Sequence, residues 1–104
     1  MIVESQDLFE AGHARSTLDL AKNLAKNGSS VEIVFVQNAV LGLRGQEFAG
    51  IFAETAKAGV KFHADLLSLQ ARGIRGDDIP GFVVPTSLDL VIDAMADGKK
   101  MIWH

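Results

Sequence analysis

The chain has 104 residues, 48% of them hydrophobic and 22% charged, with ten Lys and Arg against 13 Asp and Glu for a net charge of −3. That length suits one small domain, and the composition is that of a globular chain rather than a disordered one. No apolar run approaches the ~20 residues needed to span a bilayer, no basic excess marks a nucleic-acid binder, and zero cysteines remove disulfides, thiolate metal sites and every thiol mechanism.

Met1-Ile2-Val3-Glu4-Ser5-Gln6-Asp7 has neither a basic region nor a long apolar stretch, so no export signal is read and a cytoplasmic location is expected. Ile2-Val3 opens a first strand, followed by a loop from Gln6 to Gly12. From His13 to Asn27, small or apolar residues fall at Ala14, Thr17, Leu18, Ala21, Leu24 and Ala25. That spacing makes one face of a helix, and Asn27-Gly28 stops it.

Val31 to Val36 reads VEIVFV. A run this apolar and β-branched predicts a strand buried on both faces, as in a parallel sheet between helices. A loop is expected from Gln37 to Gln46, punctuated by Gly42 and Gly45, then a helix from Glu47 to Lys57 with Phe48, Ile51, Phe52 and Thr55 inward. Val60 to His63 alternates as a third strand, and Asp65 precedes a short helix carrying Leu66, Leu67 and Leu69 that ends near Arg72-Gly73.

Residues 76–81 form a turn-rich connector. Phe82-Val83-Val84 is a fourth strand, which Pro85 is expected to end because proline has no N–H for the ladder. Thr86-Ser87-Leu88-Asp89 has the form of a capping box, and Leu88, Val91, Ile92 and Met95 mark the inner face of a fourth helix stopped at Gly98. Lys99 to Trp103 is the last strand. Five strands alternating with four helices imply right-handed βαβ units and a three-layer α/β/α sandwich on a mainly parallel five-stranded sheet.

Ligands in such sheets sit beyond the carboxyl ends of the strands. The polar candidates there include His13, Asn38, Arg44 and Asp65. Asp65 is an N-cap accepting from the N–H of residue 67 or 68, that role being more common than a general base. Asn38 either meets a ligand or bonds its own loop. Glu10-Ala11-Gly12-His13 leads into a helix N-terminus but is neither GxGxxG nor a phosphate loop. The three histidines lack metal-ligand spacing, so no metal or other cofactor is expected. No GxSxG elbow is present.

The segments Leu24-Ala25-Lys26-Asn27-Gly28, Val31 to Val40, Ala58-Gly59-Val60-Lys61-Phe62, Leu69-Gln70-Ala71-Arg72-Gly73-Ile74 and Met101-Ile102-Trp103 together resemble the DsrE/DsrF-like family over essentially the whole chain. The resemblance implies a parallel five-stranded sheet between helices. It also implies assembly into homo-oligomers, commonly trimers or hexamers, or into hetero-oligomers with paralogues. Some members are sulfur-relay subunits that carry a persulfide on a cysteine after the third strand, eight residues before the glycine of an Arg-Gly motif. Counting back from Gly73 lands on Asp65.

A carboxyl group cannot hold sulfane sulfur, and persulfide transfer needs a thiolate. Three functional readings follow. The first is a non-catalytic oligomeric subunit or regulator linked to sulfur metabolism, with no nucleic-acid or membrane partner. The second is a module binding a small ligand, an anion or nucleotide, at the carboxyl ends of the strands through His13, Asn38, Arg44 and Asp65. The third, ranked last, pairs Asp65 with His13 for acid–base work.

Overall fold

The computed structural model describes residues 1–10 and 13–104, apart from the side chains of residues 13 and 14. In chain order the elements are β1 (Ile2–Glu4), α1 (His13–Lys26), β2 (Glu32–Phe35), a 3-10 segment (Gln37–Leu43), α2 (Ala49–Lys57), β3 (Lys61–Asp65), α3 (Leu66–Ala71), a 3-10 turn (Gly76–Asp78), β4 (Val83–Thr86), α4 (Asp89–Ala96) and β5 (Ile102–Trp103). The strands lie in the order β4-β3-β2-β1-β5, and every pairing is parallel.

Strand order decides which face each helix covers. The first three crossovers, β1 to β4, all step the same way across the sheet. Right-handed connections therefore put α1, α2 and α3 on one face. The last crossover runs back from β4 to β5, so the same handedness sends α4 to the other face. Packing agrees. Leu18 and Ala21 of α1, Phe52 of α2 and Leu69 of α3 share one core with Ile2, Ile33, Phe35, Phe62 and Val83, whereas α4 places Val91 against Val3 and Val34. The expected three layers are present, but they are unequal.

The larger core is built on aromatic contacts. Phe35 lies 5.9 Å from Phe52 and 5.7 Å from Phe62, and Phe52 and Phe62 are 5.7 Å apart. All three are nearly fully buried, each worth about 1.5–3 kcal/mol of hydrophobic stabilisation. The VEIVFV run is thus two-sided, with Ile33 and Phe35 in one core and Val34 in the other.

Several local expectations are corrected. Residues 37–43 form a 3-10 segment rather than an open loop, because Ala39, Val40 and Leu43 are buried in the larger core. Strand β3 runs on to Asp65, so His63 is mid-strand rather than terminal. In α3 only Leu69 of the three leucines is buried, and Leu66 and Leu67 are exposed.

Pro85 does not end β4, where it stands opposite Ala64. β4 is an edge strand, with only β3 as neighbour, and an edge tolerates the missing N–H. No capping box forms before α4: its N-cap is Leu88, without a side-chain bond, and Ser87 Oγ accepts only from the N–H of Asp89 at 3.3 Å. Of the periodic stripe on α4, only Val91 is buried, while Leu88, Ile92 and Met95 are exposed. The last strand is confined to Ile102–Trp103.

Candidate functional site

An open cavity of about 540 Å³ lies at the carboxyl ends of the strands, on the face that α4 covers alone. Its walls are apolar: Leu67 comes from α3, Leu88, Ile92 and Met95 from α4 and its N-cap, and Trp103 from β5. Its polar lining is Gln37, Asp65, Ser68 and Arg72. The cavity exists because one helix cannot cover five strands, and α4 spends its one buried stripe on β1 and β2.

Asp65 is the last residue of β3 and the N-cap of α3. Its Oδ2 accepts from the N–H of Ser68 at 3.1 Å and from the hydroxyl of Ser68 at 2.6 Å. Ser68 Oγ in turn accepts from the N–H of Gln37 at 2.8 Å. These bonds join the end of β2 to the start of α3 through one side chain. Gln37 pays for its place with a left-handed backbone, φ 51, alone among the described non-glycine residues; such a conformation costs about 1–3 kcal/mol.

Arg72 closes the next turn of α3. Its Nη1 donates to the carbonyl of Ser68 at 3.1 Å, and its Nη2 and Nε donate to Asn38 Oδ1 at 2.9 and 3.3 Å. Asp65 is 5% exposed, yet its Oδ1 is buried without any hydrogen-bond partner. A buried acceptor left unmade is costly. With both donors of Ser68 on Oδ2, the carboxyl group is fixed and its second oxygen is left over.

Of the four sequence candidates, the structure joins Asn38 to the Asp65 network through Arg72 and Ser68. Asp65 has the expected capping bond. Arg44 is exposed at the end of the 3-10 segment and is not among the residues lining the cavity. Ala11, Gly12 and the side chain of His13 lie outside the described residues. Sequence reasoning missed Gln37, Ser68 and Arg72. The Asp65-x-x-Ser68 spacing of a cap and the Ser68-x-x-x-Arg72 spacing of one helical turn were the available signals.

A second polar cluster lies between β1 and β5, where the strand order turns back. Glu4 is fully buried. It accepts from Thr17 Oγ1 at 2.6 Å, from the N–H of Gln6 at 3.3 Å, and from His104 Nδ1 at 2.9 and 3.0 Å. Two carboxyl oxygens facing Nδ1 make that nitrogen the proton carrier. Both oxygens of Glu4 are satisfied, and the cluster fastens α1 and the residue after β5 to β1.

His63 lies on the α4 face of the sheet. Burial lowers its pKa from the ordinary 6.5, Glu32 opposes that shift and Lys61 adds to it. Its Nε2 is 3.8 Å from Glu32 Oε1, too long for a hydrogen bond and an ion pair only when the ring is protonated. Among the described residues no three potential metal ligands come together, and no helix is long and apolar enough to cross a membrane.

Comparison with known proteins matches this architecture. The structure of the protein of unknown function MTH1491 from Methanobacterium thermoautotrophicum superposes with a TM-score of 0.81 at 26% identity, covering 99% of this chain and 97% of that one. The ychN protein from E. coli gives 0.86 at 18% identity, covering 99% and 96%. The conserved protein of unknown function BT1422 from Bacteroides thetaiotaomicron gives 0.78 at 12% identity, covering 99% and 93%. No curated protein matches the chain. The sequence pattern of the DsrE/DsrF-like family matches residues 1–104, and the chain, with Asp65 at the end of its third strand and no cysteine anywhere, belongs to that family.

Proposed function

We infer that this chain is a non-catalytic subunit that acts by assembling with copies of itself, in the cytoplasm and alongside sulfur metabolism. The observation that carries the reading is the apolar rim of the cavity. Leu67 is 70% exposed, Trp103 62% and Ile92 60%, with Met95 and Leu88 beside them. Apolar side chains gathered around one opening mark an interaction surface, whereas singly scattered ones do not. Family membership supports the oligomeric role and the link to sulfur chemistry. The absence of cysteine separates this chain from the persulfide carriers.

Native mass spectrometry tests the reading. A trimer or hexamer is expected, and Ile92→Glu, which puts a charge on the rim, is expected to shift the population towards monomer. A monodisperse monomer at high protein concentration would refute it. A second reading, a module for a small ligand, is favoured by one observation: the partnerless Oδ1 of Asp65 at the cavity.

A further inference from the structure

The cavity has one feature that assembly does not use. Its rim is apolar and exposed, and one of its lining residues, Asp65, has a buried carboxyl oxygen with no partner. Oδ2 of Asp65 is saturated by the N–H and hydroxyl of Ser68, which hold the carboxyl plane in place. The guanidinium of Arg72 is turned to Asn38 Oδ1 and the Ser68 carbonyl, so these bonds bypass Oδ1. A preorganised acceptor in an apolar hollow is complementary to a molecule with an apolar body and a donor at one end.

We propose that the cavity binds a small amphiphile whose N–H or O–H head donates to Asp65 Oδ1 while its apolar body lies against Val3, Val36 and Val91. The specificity is for a donor. An anionic head would bring no hydrogen to Oδ1, so the preference at that oxygen is for a donor. The proposal puts a hydrogen-bond donor where the sequence reading put an anion or nucleotide. The inference builds on the small-ligand reading and concerns the lining deep in the cavity, whereas self-assembly concerns the rim.

The test uses three probes sharing one phenylbutyl body: 4-phenylbutylamine, 4-phenylbutanol and 4-phenylbutyrate. Each is titrated into the isotope-labelled protein and followed by amide NMR shifts. The amine and the alcohol are expected to bind with shifts at Ser68 and Gln37, the amine about ten-fold or more tighter than the acid, which is the scale of one charge-assisted hydrogen bond. Asp65→Asn keeps an acceptor for the Ser68 cap and turns a donor amide towards the cavity, so the amine's advantage over the acid is expected to disappear or reverse.

Equal binding of all three probes means adhesion to the apolar rim and overturns the proposal. So does no binding at all, or an amine preference unchanged in Asp65→Asn. The probe comparison on the unaltered protein stands even if the variant fails to fold. The native mass of the unaltered protein, measured in the same samples without probe, reports the assembly separately.

Discussion

Ser68 shows how much can depend on one hydroxyl. Its oxygen accepts from the N–H of Gln37 and its O–H donates to Asp65 in the same chain of bonds, so Ser68→Ala strands the Gln37 N–H and halves the support of Asp65 Oδ2. A loss of about 1–3 kcal/mol in chemical denaturation is expected. His63 makes a different prediction. Because burial lowers its pKa below 6.5, the unfolded chain takes up that proton at higher pH than the folded one. The stability is intact above about pH 7 and is lost as pH falls through 6.5 towards the folded value. In His63→Leu that portion of the pH dependence is expected to vanish, so the difference in denaturation midpoint between the two proteins changes between pH 7.5 and about pH 5. A difference that stays flat across that range contradicts the assignment. At this scale the sequence was legible where a residue's partner is local. Asp65 and Ser68 are three positions apart, and the cap was read from Asp65 alone. Arg72 meets Asn38, 34 positions away, and no local spacing announces that pair.

Among the elements, the 3-10 segment at 37–43 was the hardest to read. Its Gly42 looks like loop punctuation, but the glycine is there for closeness. A Cβ on Gly42 would come within 2.6 Å of Leu8 Cδ1 and 2.9 Å of Leu8 Cβ. Gly42→Ala is therefore expected to cost about 1–3 kcal/mol by overpacking. Gly50, in the first turn of α2, faces open space, and Gly50→Ala is expected to be neutral or to stabilise by up to about 1 kcal/mol. Paired thermal melts of the two variants check this, and similar melts for both would contradict it. Helix α4 teaches the complementary lesson. The spacing of Leu88, Val91, Ile92 and Met95 predicts an inner face, but of the four only Val91 is buried. Periodicity states which residues share a face and not what arrives to cover it. Leu88, Ile92 and Met95 instead border the cavity that α4 leaves uncovered.

For the whole molecule, the alternation of strands and helices was enough to give the class of fold, but the strand order 4-3-2-1-5 rests on long-range pairing that alternation does not encode. The order explains the asymmetry between one face with three helices and one face with a single helix, and hence the cavity. It also brings Glu4 to His104, a contact across 100 positions. His104→Ala is expected to lower global stability by about 1–3 kcal/mol by removing a charge-assisted bond to a buried carboxyl group, and to speed hydrogen exchange at the N–H of Ile102, which donates to Met1. Exchange at the N–H groups of β3 is expected to change only as the global stability changes.

The pairing of β1 with β5 has a consequence for how the protein is made. Strands β1 to β4 can join one after another as the ribosome delivers them, each beside its predecessor. The far side of β1 is different. It keeps a row of unpaired N–H and C=O groups until residues 102–103 have cleared the exit tunnel. Strand β1 therefore waits for β5. During that interval the nascent chain presents a sticky apolar edge of Ile2 and Val3, open to mispairing with neighbouring chains.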